Sequence, residues 1–165
     1  MNNGKWIPSI GLGTVGLMLA ESIEKAIMET DYVYLDSASM YKNETEVGIA
    51  LQSCFKRGKK REDVFILTKV DMHEQNDVEK YCRESLKRLQ LDYVDMYLLH
   101  FPYNYYAPTP IPMHKLWRDM ENLVDIGLTK SIGVSNFNAQ LLWDMMTYAK
   151  YIPAVNEIEL HPTCA

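Results

Sequence analysis

Short apolar runs alternate along the chain with longer stretches whose apolar residues have helical spacing. Five runs rich in β-branched and aromatic residues are predicted to be strands, after a shorter candidate at 7–12; they cover 32–35, 64–68, 94–99, 131–134 and 154–160. Most of them are almost continuously apolar, which is typical of parallel strands that helices cover on both faces. The pattern therefore predicts alternating strands and helices and disfavours an all-antiparallel fold.

Capping residues mark the ends of several predicted helices. Asp77, with Asn76 before it, opens a helix that is predicted to end at about residue 89. Gly127 closes the next helix, and Asn138 is a candidate N-cap of the helix after it. The connections are long enough for right-handed strand–helix–strand units, and the strands end at intervals of roughly 31 residues. Helical spacing assigns to the core Leu116, Trp117, Trp143, Met145 and Met146.

The composition indicates an ordinary globular protein. With 165 residues and no linker-like segment, we expect a single domain over 1–165. The net charge of −5 leaves no positive field for nucleic acid or an anionic membrane surface, so neither is an expected partner. Cys54, Cys82 and Cys164 form no C-x-x-C pair and are interpreted as reduced thiols. No apolar segment resembles a membrane span or a secretory signal, and a cytoplasmic location is expected.

Polar side chains stand at the carboxyl ends of the predicted strands. They are, in chain order, Asp36, Lys69, His100, Ser135 and Asn136. Because the carboxyl ends of parallel strands meet on one rim of the sheet, these side chains are expected to converge there. Tyr41 lies five residues beyond Asp36, in the loop that leaves the same strand, and its phenol can reach this rim.

An acid, a lysine, a tyrosine and a histidine on one rim form a candidate proton-transfer site, because a lysine ammonium lowers the pKa of a nearby phenol from ~10. Each residue alone also has an ordinary structural role: Asp36 as a turn cap, Lys69 as a solvated lysine and His100 as a core histidine. The four histidines show no metal-ligand spacing with cysteine or carboxylate residues, so no metal is predicted.

Several segments of the chain resemble those of the aldo-keto reductase family. They are, in chain order, NNGKWIPSIGLGT, YLDSASMYKNETEVGIAL, ILTKV, LDYVDMYLLHFP, GLTKSIGVSNF and PAVNEIELHP, and together they extend over essentially the whole chain. The resemblance implies an incomplete (β/α)8 TIM barrel with about six parallel strands and five crossover helices. It also implies an oxidoreductase that reduces an aldehyde or ketone to an alcohol by hydride transfer from NADPH.

The resemblance implies roles for individual residues. Tyr41 would be the general acid toward the carbonyl oxygen, and His100 would orient the substrate carbonyl. Lys69, salt-bridged to Asp36, would tune the phenol. The residues implied in NADP(H) binding are Thr14, Asp36, Ser135, Asn136 and Glu157, and the last three would hold the carboxamide of the nicotinamide.

The chain departs from the family pattern at several positions. Glu157 stands where the family commonly has glutamine, and a carboxylate accepts hydrogen bonds but does not donate one. Val15 stands where the family often has an aromatic residue. The loop after His100 is rich in aromatic residues and proline; its Tyr103, Tyr105 and Tyr106 are either pocket walls or solvent-facing side chains.

The length limits what the resemblance implies. Six strands cannot close an eight-stranded barrel, so we expect a truncated barrel whose open edges could support self-association. In the family, the adenosine and 2′-phosphate of NADP are bound largely by segments beyond the position that matches residue 165. The choice between NADP and NAD is therefore open, and weak or absent activity is expected of the isolated chain. The alternative is a catalytically weak or inactive barrel that acts as a non-enzymatic interaction module.

A second nucleotide-binding interpretation comes from the segment 11–16, which spells G-x-G-x-x-G and precedes Asp36 by about the ~20 residues of the Rossmann fingerprint. Pro8 argues against it, because proline cannot donate to the ladder of a central strand. A Rossmann fold also leaves Tyr41 and Lys69 without a role. We keep the Rossmann-type NAD-binding protein as a minor alternative.

Overall fold

The computed structural model describes residues 1, 4, 6–16, 19–30, 32–103 and 111–164. In these residues, six strands form one parallel sheet in sequential order. The strands are β1 (Leu12–Gly13), β2 (Tyr34–Asp36), β3 (Phe65–Val70), β4 (Met96–Leu99), β5 (Ile132–Ser135) and β6 (Asn156–Glu157).

One α-helix connects each strand to the next. The helices of the described residues are α1 (Ala20–Glu29), α2 (Glu44–Lys56), α3 (Val78–Leu89), α4 (Met113–Asp125) and α5 (Ala139–Met145). The prediction of an incomplete (β/α)8 barrel with six parallel strands and five crossover helices is confirmed. The described part of the chain contains no helix with the length and apolar character needed to span a membrane.

The strand order excludes the Rossmann alternative. A Rossmann sheet places its first strand in the interior of the sheet. Among the described residues, β1 is an edge strand that pairs only with β2, and each later strand pairs with its neighbours along the chain. The glycines of 11–16 therefore do not form the phosphate-binding turn of a central strand.

Both edge strands differ from the sequence prediction. β1 covers only Leu12–Gly13 rather than 7–12, consistent with Pro8, which has no N–H for a ladder. β6 has two residues, whereas the apolar pattern predicts a strand over 154–160. Ile158 and Leu160 are exposed, because in the described residues β6 has a partner strand on one side only. The prediction of self-association through these edges stays a prediction.

The predicted helix caps are confirmed. The Asp77 carboxylate accepts from the Lys80 amide, the Asn138 side chain accepts from the Leu141 amide, and Gly127 has a φ of 80° after α4. The prediction for the core is confirmed at Leu116, Trp117 and Met145. It is wrong at Trp143, which is 74% exposed, and at Met146, because the short α5 buries only one face.

Strand alternation divides the core into two parts. Outward-facing residues of the sheet, such as Leu35, Ile66 and Val134, pack with the helices in the larger core. The inward-facing residues Leu67 and Leu98 belong to a smaller cluster on the concave face. The candidate site lies beyond this cluster, at the carboxyl ends of the strands.

At Gly48, α2 lies directly against the backbone of α3. A Cβ atom on Gly48 would overlap the Arg88 carbonyl oxygen and lie 2.8 Å from the Leu89 carbonyl carbon. These atoms belong to the backbone of α3, so they cannot move aside as a flexible side chain would.

We expect Gly48→Ala to lower the free energy of unfolding by about 2 kcal/mol. Alanine improves helix propensity by about 1 kcal/mol, but overpacking of two helix backbones costs up to about 3 kcal/mol. Urea denaturation checks the change. Gly13→Ala is the control, because a Cβ there meets nothing within 4 Å; equal stability of the two variants would contradict the prediction.

Candidate active site

Strand register brings three of the predicted residues to one rim. Asp36 ends β2, Lys69 is next to last in β3, and His100 directly follows β4. Because β2, β3 and β4 are adjacent and in parallel register, the three side chains point to the concave face together. The predicted convergence of these residues is therefore present.

The Lys69 ammonium is the centre of the site. Its side chain is fully buried, and Nζ forms an ion pair with Asp36 Oδ1. Nζ also lies 3.3 Å from the Tyr41 hydroxyl, 3.3 Å from the Ser37 carbonyl oxygen and 3.1 Å from Glu157 Oε1. Burial lowers the pKa of Lys69, but Asp36 and Glu157 outweigh burial and the pKa is raised. Lys69 is therefore a permanent cation beside the phenol.

Tyr41 reaches Lys69 from a single 3-10 turn, Ser39–Tyr41, that follows β2. Lys42 then adopts a left-handed conformation with a φ of 59°, which ends the turn. The Ser39 hydroxyl donates to Glu74, so the turn is tied to the loop after β3. The phenol ring meets the His100 ring edge to face, with ring centroids 5.7 Å apart.

His100 is held as a buried, neutral imidazole. Burial, and then the Lys69 charge, lower its pKa to about 4. Its ring stacks on Phe101 with centroids 4.9 Å apart, and its Nδ1 has no hydrogen-bond partner in the described residues. A neutral imidazole has one N–H donor and one acceptor nitrogen, which suits it to bind a polar group.

Ser135 and Asn136 form a hydrogen-bonded corner at the end of β5. Asn136, with a φ of 62°, donates from Nδ2 to the His100 carbonyl oxygen and to Ser135 Oγ. The Ser135 hydroxyl and the backbone N–H of Asn136 both donate to the backbone carbonyl oxygen of Glu157. This corner fixes β6 against β5 and carries its side chains to the same rim.

Glu157 lies on the rim, as the resemblance implies, and also contacts Lys69. Its carboxylate forms an ion pair with Lys69 across the concave face. Lys69 also forms the expected ion pair with Asp36. Burial raises the pKa of Glu157, the Lys69 charge lowers it, and the Asp36 carboxylate raises it again, so that the net shift is upward. The ion pair between Glu157 and Lys69 was not predicted from the sequence.

Thr14 lies behind the site rather than on its surface. It is fully buried, and its amide and hydroxyl both donate to the Asp36 carbonyl oxygen. Its own carbonyl accepts from the Asn43 side chain. Thr14 thereby fixes the backbone of Asp36, and its part in cofactor binding stays a prediction.

A further group of possible metal ligands lies near the end of the described residues. Glu159, His161 and Cys164 come within 4.8 Å of one another, a grouping that the sequence interpretation missed. His161 already binds Glu159 through Nε2 and Thr163 through Nδ1, and all three side chains are exposed, so we assign no metal to them.

Tyr103 is 44% exposed. The other two candidate pocket tyrosines, Tyr105 and Tyr106, lie outside the described residues.

Comparison with known proteins identifies the family. The sequence profile described as "Aldo/keto reductase family" matches residues 10–164. The chain belongs to this family. The predicted resemblance is thus confirmed.

Aldo-keto reductases of several organisms are similar to this chain. Aldose reductase B of Dictyostelium discoideum is 39% identical over 94% of the chain, and the NAD(P)H-dependent D-xylose reductase of Pachysolen tannophilus is 39% identical over 98%. The chain spans 58% of the length of each of these relatives.

Solved structures of the family share its fold. The aldose reductase from Schistosoma japonicum aligns with a TM-score of 0.90 and 39% identity, over 98% of this chain and 60% of that protein. An aldo-keto reductase of Bombyx mori in complex with NADP aligns with a TM-score of 0.87 and 35% identity, over 96% and 56%.

The low pKa of His100 predicts how the stability of this aldo-keto reductase chain depends on pH. In the unfolded chain histidine binds a proton below about pH 6.5, whereas in the folded chain His100 does so only below about 4. Between these values the unfolded state binds more protons, so stability falls as pH falls.

We expect the wild type to lose about 2 kcal/mol of stability between pH 7 and pH 5 through His100, and His100→Gln to lack this loss. Urea denaturation at both pH values measures the difference. His114→Gln, at an exposed position of α4, is the control and should keep the wild-type pH dependence. If His100→Gln loses as much stability as the wild type, His100 is not held neutral.

Proposed function

We propose that the chain carries the proton-transfer site of an NADPH-dependent reductase that converts an aldehyde or ketone to an alcohol. The observation that carries this proposal is the 3.3 Å contact between the buried Lys69 ammonium and the Tyr41 hydroxyl, with His100 beside the same phenol. A cation in contact with a phenol stabilises its phenolate form. We therefore assign Tyr41 as the proton donor toward a bound substrate.

The rim residues divide the work of carbonyl reduction. When a carbonyl carbon receives a hydride, negative charge develops on its oxygen, which requires a proton donor and polarising neighbours. Tyr41 gives its proton to that oxygen, and the Lys69 ammonium stabilises the phenolate that remains. His100, which is neutral, orients the substrate oxygen by hydrogen bonding. Asp36 keeps Lys69 in place.

The rim fits the carboxamide of a nicotinamide on one side. Asn136 Oδ1 has no donor among the described residues, and Ser135 Oγ accepts one hydrogen bond, so both can accept from an amide N–H2 group. Asn136 Nδ2 is already committed to His100 and Ser135. Ser135 and Asn136 would hold the carboxamide, and the reduced nicotinamide supplies the hydride when it is bound. The NADP in the Bombyx mori complex favours NADP(H) as the cofactor.

We expect Tyr41→Phe to lower the rate of NADPH oxidation with a panel of aldehydes by about 10²- to 10⁴-fold, which is the range for loss of a general acid. The loss of NADPH absorbance measures the rate. Tyr93→Phe is the matched control, because the Tyr93 ring lies between Arg61 and Lys130, before β4 begins.

Two results would contradict the proposed function. One is turnover that Tyr41→Phe leaves unchanged. The other is an unchanged chain that binds NADPH in a fluorescence titration but reduces none of the aldehydes; that result favours the alternative of a non-enzymatic interaction module.

A further inference from the structure

More hydrogen-bond acceptors surround the Lys69 ammonium than it has N–H donors. An ammonium offers three N–H donors. The structure places four acceptors around Nζ: Asp36 Oδ1, Glu157 Oε1 at 3.1 Å, the Tyr41 hydroxyl at 3.3 Å and the Ser37 carbonyl oxygen at 3.3 Å. At any moment, one of the four acceptors therefore receives no hydrogen bond from Lys69. The tight pair with Asp36 leaves the other three to share two donors.

The same group has an excess of negative charge. With both carboxylates ionised, Asp36 and Glu157 carry two negative charges against the single positive charge of Lys69. The Lys69 side chain is fully buried, and the exposed fractions of the Asp36 and Glu157 side chains are 23% and 33%. Partial burial weakens the screening of this excess by water.

The elements packed around Glu157 supply few other charges. β2 contributes Asp36 and Tyr34. Burial raises the pKa of Tyr34, and the negative charges of Asp36 and Glu157 raise it further. β3 contributes Lys69, and the neighbouring β5 ends in the uncharged Ser135. Tyr41 and the neutral His100 complete the rim. Lys69 is thus the cation for which Glu157 and Tyr41 both compete.

We propose that Glu157 is a positioning residue whose carboxylate competes with Tyr41 for the Lys69 ammonium, so that Lys69 binds the phenol most strongly when Glu157 is protonated. This inference rests on the proposed function for its consequence in catalysis. An ionised Glu157 draws a Lys69 proton toward β6 and opposes negative charge on Tyr41. A protonated Glu157 removes that repulsion and returns the donor to the phenol.

The direction of the pH effect follows from the surroundings of Glu157. Burial raises its pKa, Lys69 lowers it and Asp36 raises it, with an upward net shift from 4.5. Glu157 therefore takes up its proton at a higher pH than an exposed glutamate does. We expect the proton donor to be favoured toward mildly acidic pH and weakened as pH rises through the pKa of Glu157.

The first experiment measures the ionisation of Tyr41 without any turnover. The ultraviolet phenolate absorbance of the chain is titrated, and subtraction of the Tyr41→Phe titration isolates Tyr41. We expect Glu157→Gln to increase the phenolate-to-phenol ratio of Tyr41 about tenfold at a fixed alkaline pH, because one negative charge is removed. Glu159→Gln, an exposed change two residues further along the chain, should leave the ratio unchanged.

The second experiment follows the pH dependence of kcat and KM for aldehyde reduction. The wild-type kcat should fall as Glu157 ionises, whereas in Glu157→Gln kcat should stay level over that range; a purely structural role would move kcat without changing the shape of the profile. An unchanged Tyr41 titration in Glu157→Gln overturns the inference. If the titration shifts but no variant reduces aldehydes, the proposed function fails and the competition for Lys69 stands.

Discussion

The fold depends on the placement of one ammonium group in a buried position. Removing a charge from water costs several kcal/mol unless ion pairs and hydrogen bonds compensate for it. Lys69 is compensated by carboxylates from β2 and β6, by a backbone carbonyl and by the Tyr41 hydroxyl. Asp36, Ser37 and Tyr41 belong to β2 and the turn after it, whereas Glu157 belongs to β6. The cation on β3 therefore links β2 and its following turn to the edge strand β6.

The contact between Lys69 and Glu157 also shows that the sheet is curled. Neighbouring strands lie about 4.8 Å apart, so β3 and β6 of a flat sheet would be separated by about 14 Å. Their charged atoms are 3.1 Å apart across the concave face. Gly133 in β5 permits this curvature, because a Cβ there would lie 2.7 Å from Leu98 and 2.8 Å from the Val155 carbonyl oxygen.

The sequence predicted what depends on local pattern and strand ends. Lys69 and His100 could be placed because buried parallel strands have a clear apolar signature and an ionisable residue at the end stands out. Glu157 was assigned to the right rim, but its pairing with Lys69 depends on curvature across three strand spacings, which no local pattern records. The bounds of β1 and β6 were wrong for a related reason: strand length at an edge depends on a partner strand, and apolar residues alone do not supply one.

The Lys69 ammonium lies beside two residues of the rim, His100 and Tyr41. The positive charge of Lys69 adds to burial in lowering the pKa of His100 to about 4, and the same ammonium lies 3.3 Å from the Tyr41 hydroxyl. A neutral imidazole beside a phenol suits carbonyl reduction, since one group can orient the oxygen and the other can give it a proton. Because the Glu157 carboxylate also binds Lys69, Tyr41 and Glu157 share the interaction with its positive charge. The residue at position 157 thus determines how much of the Lys69 charge acts on the proton donor.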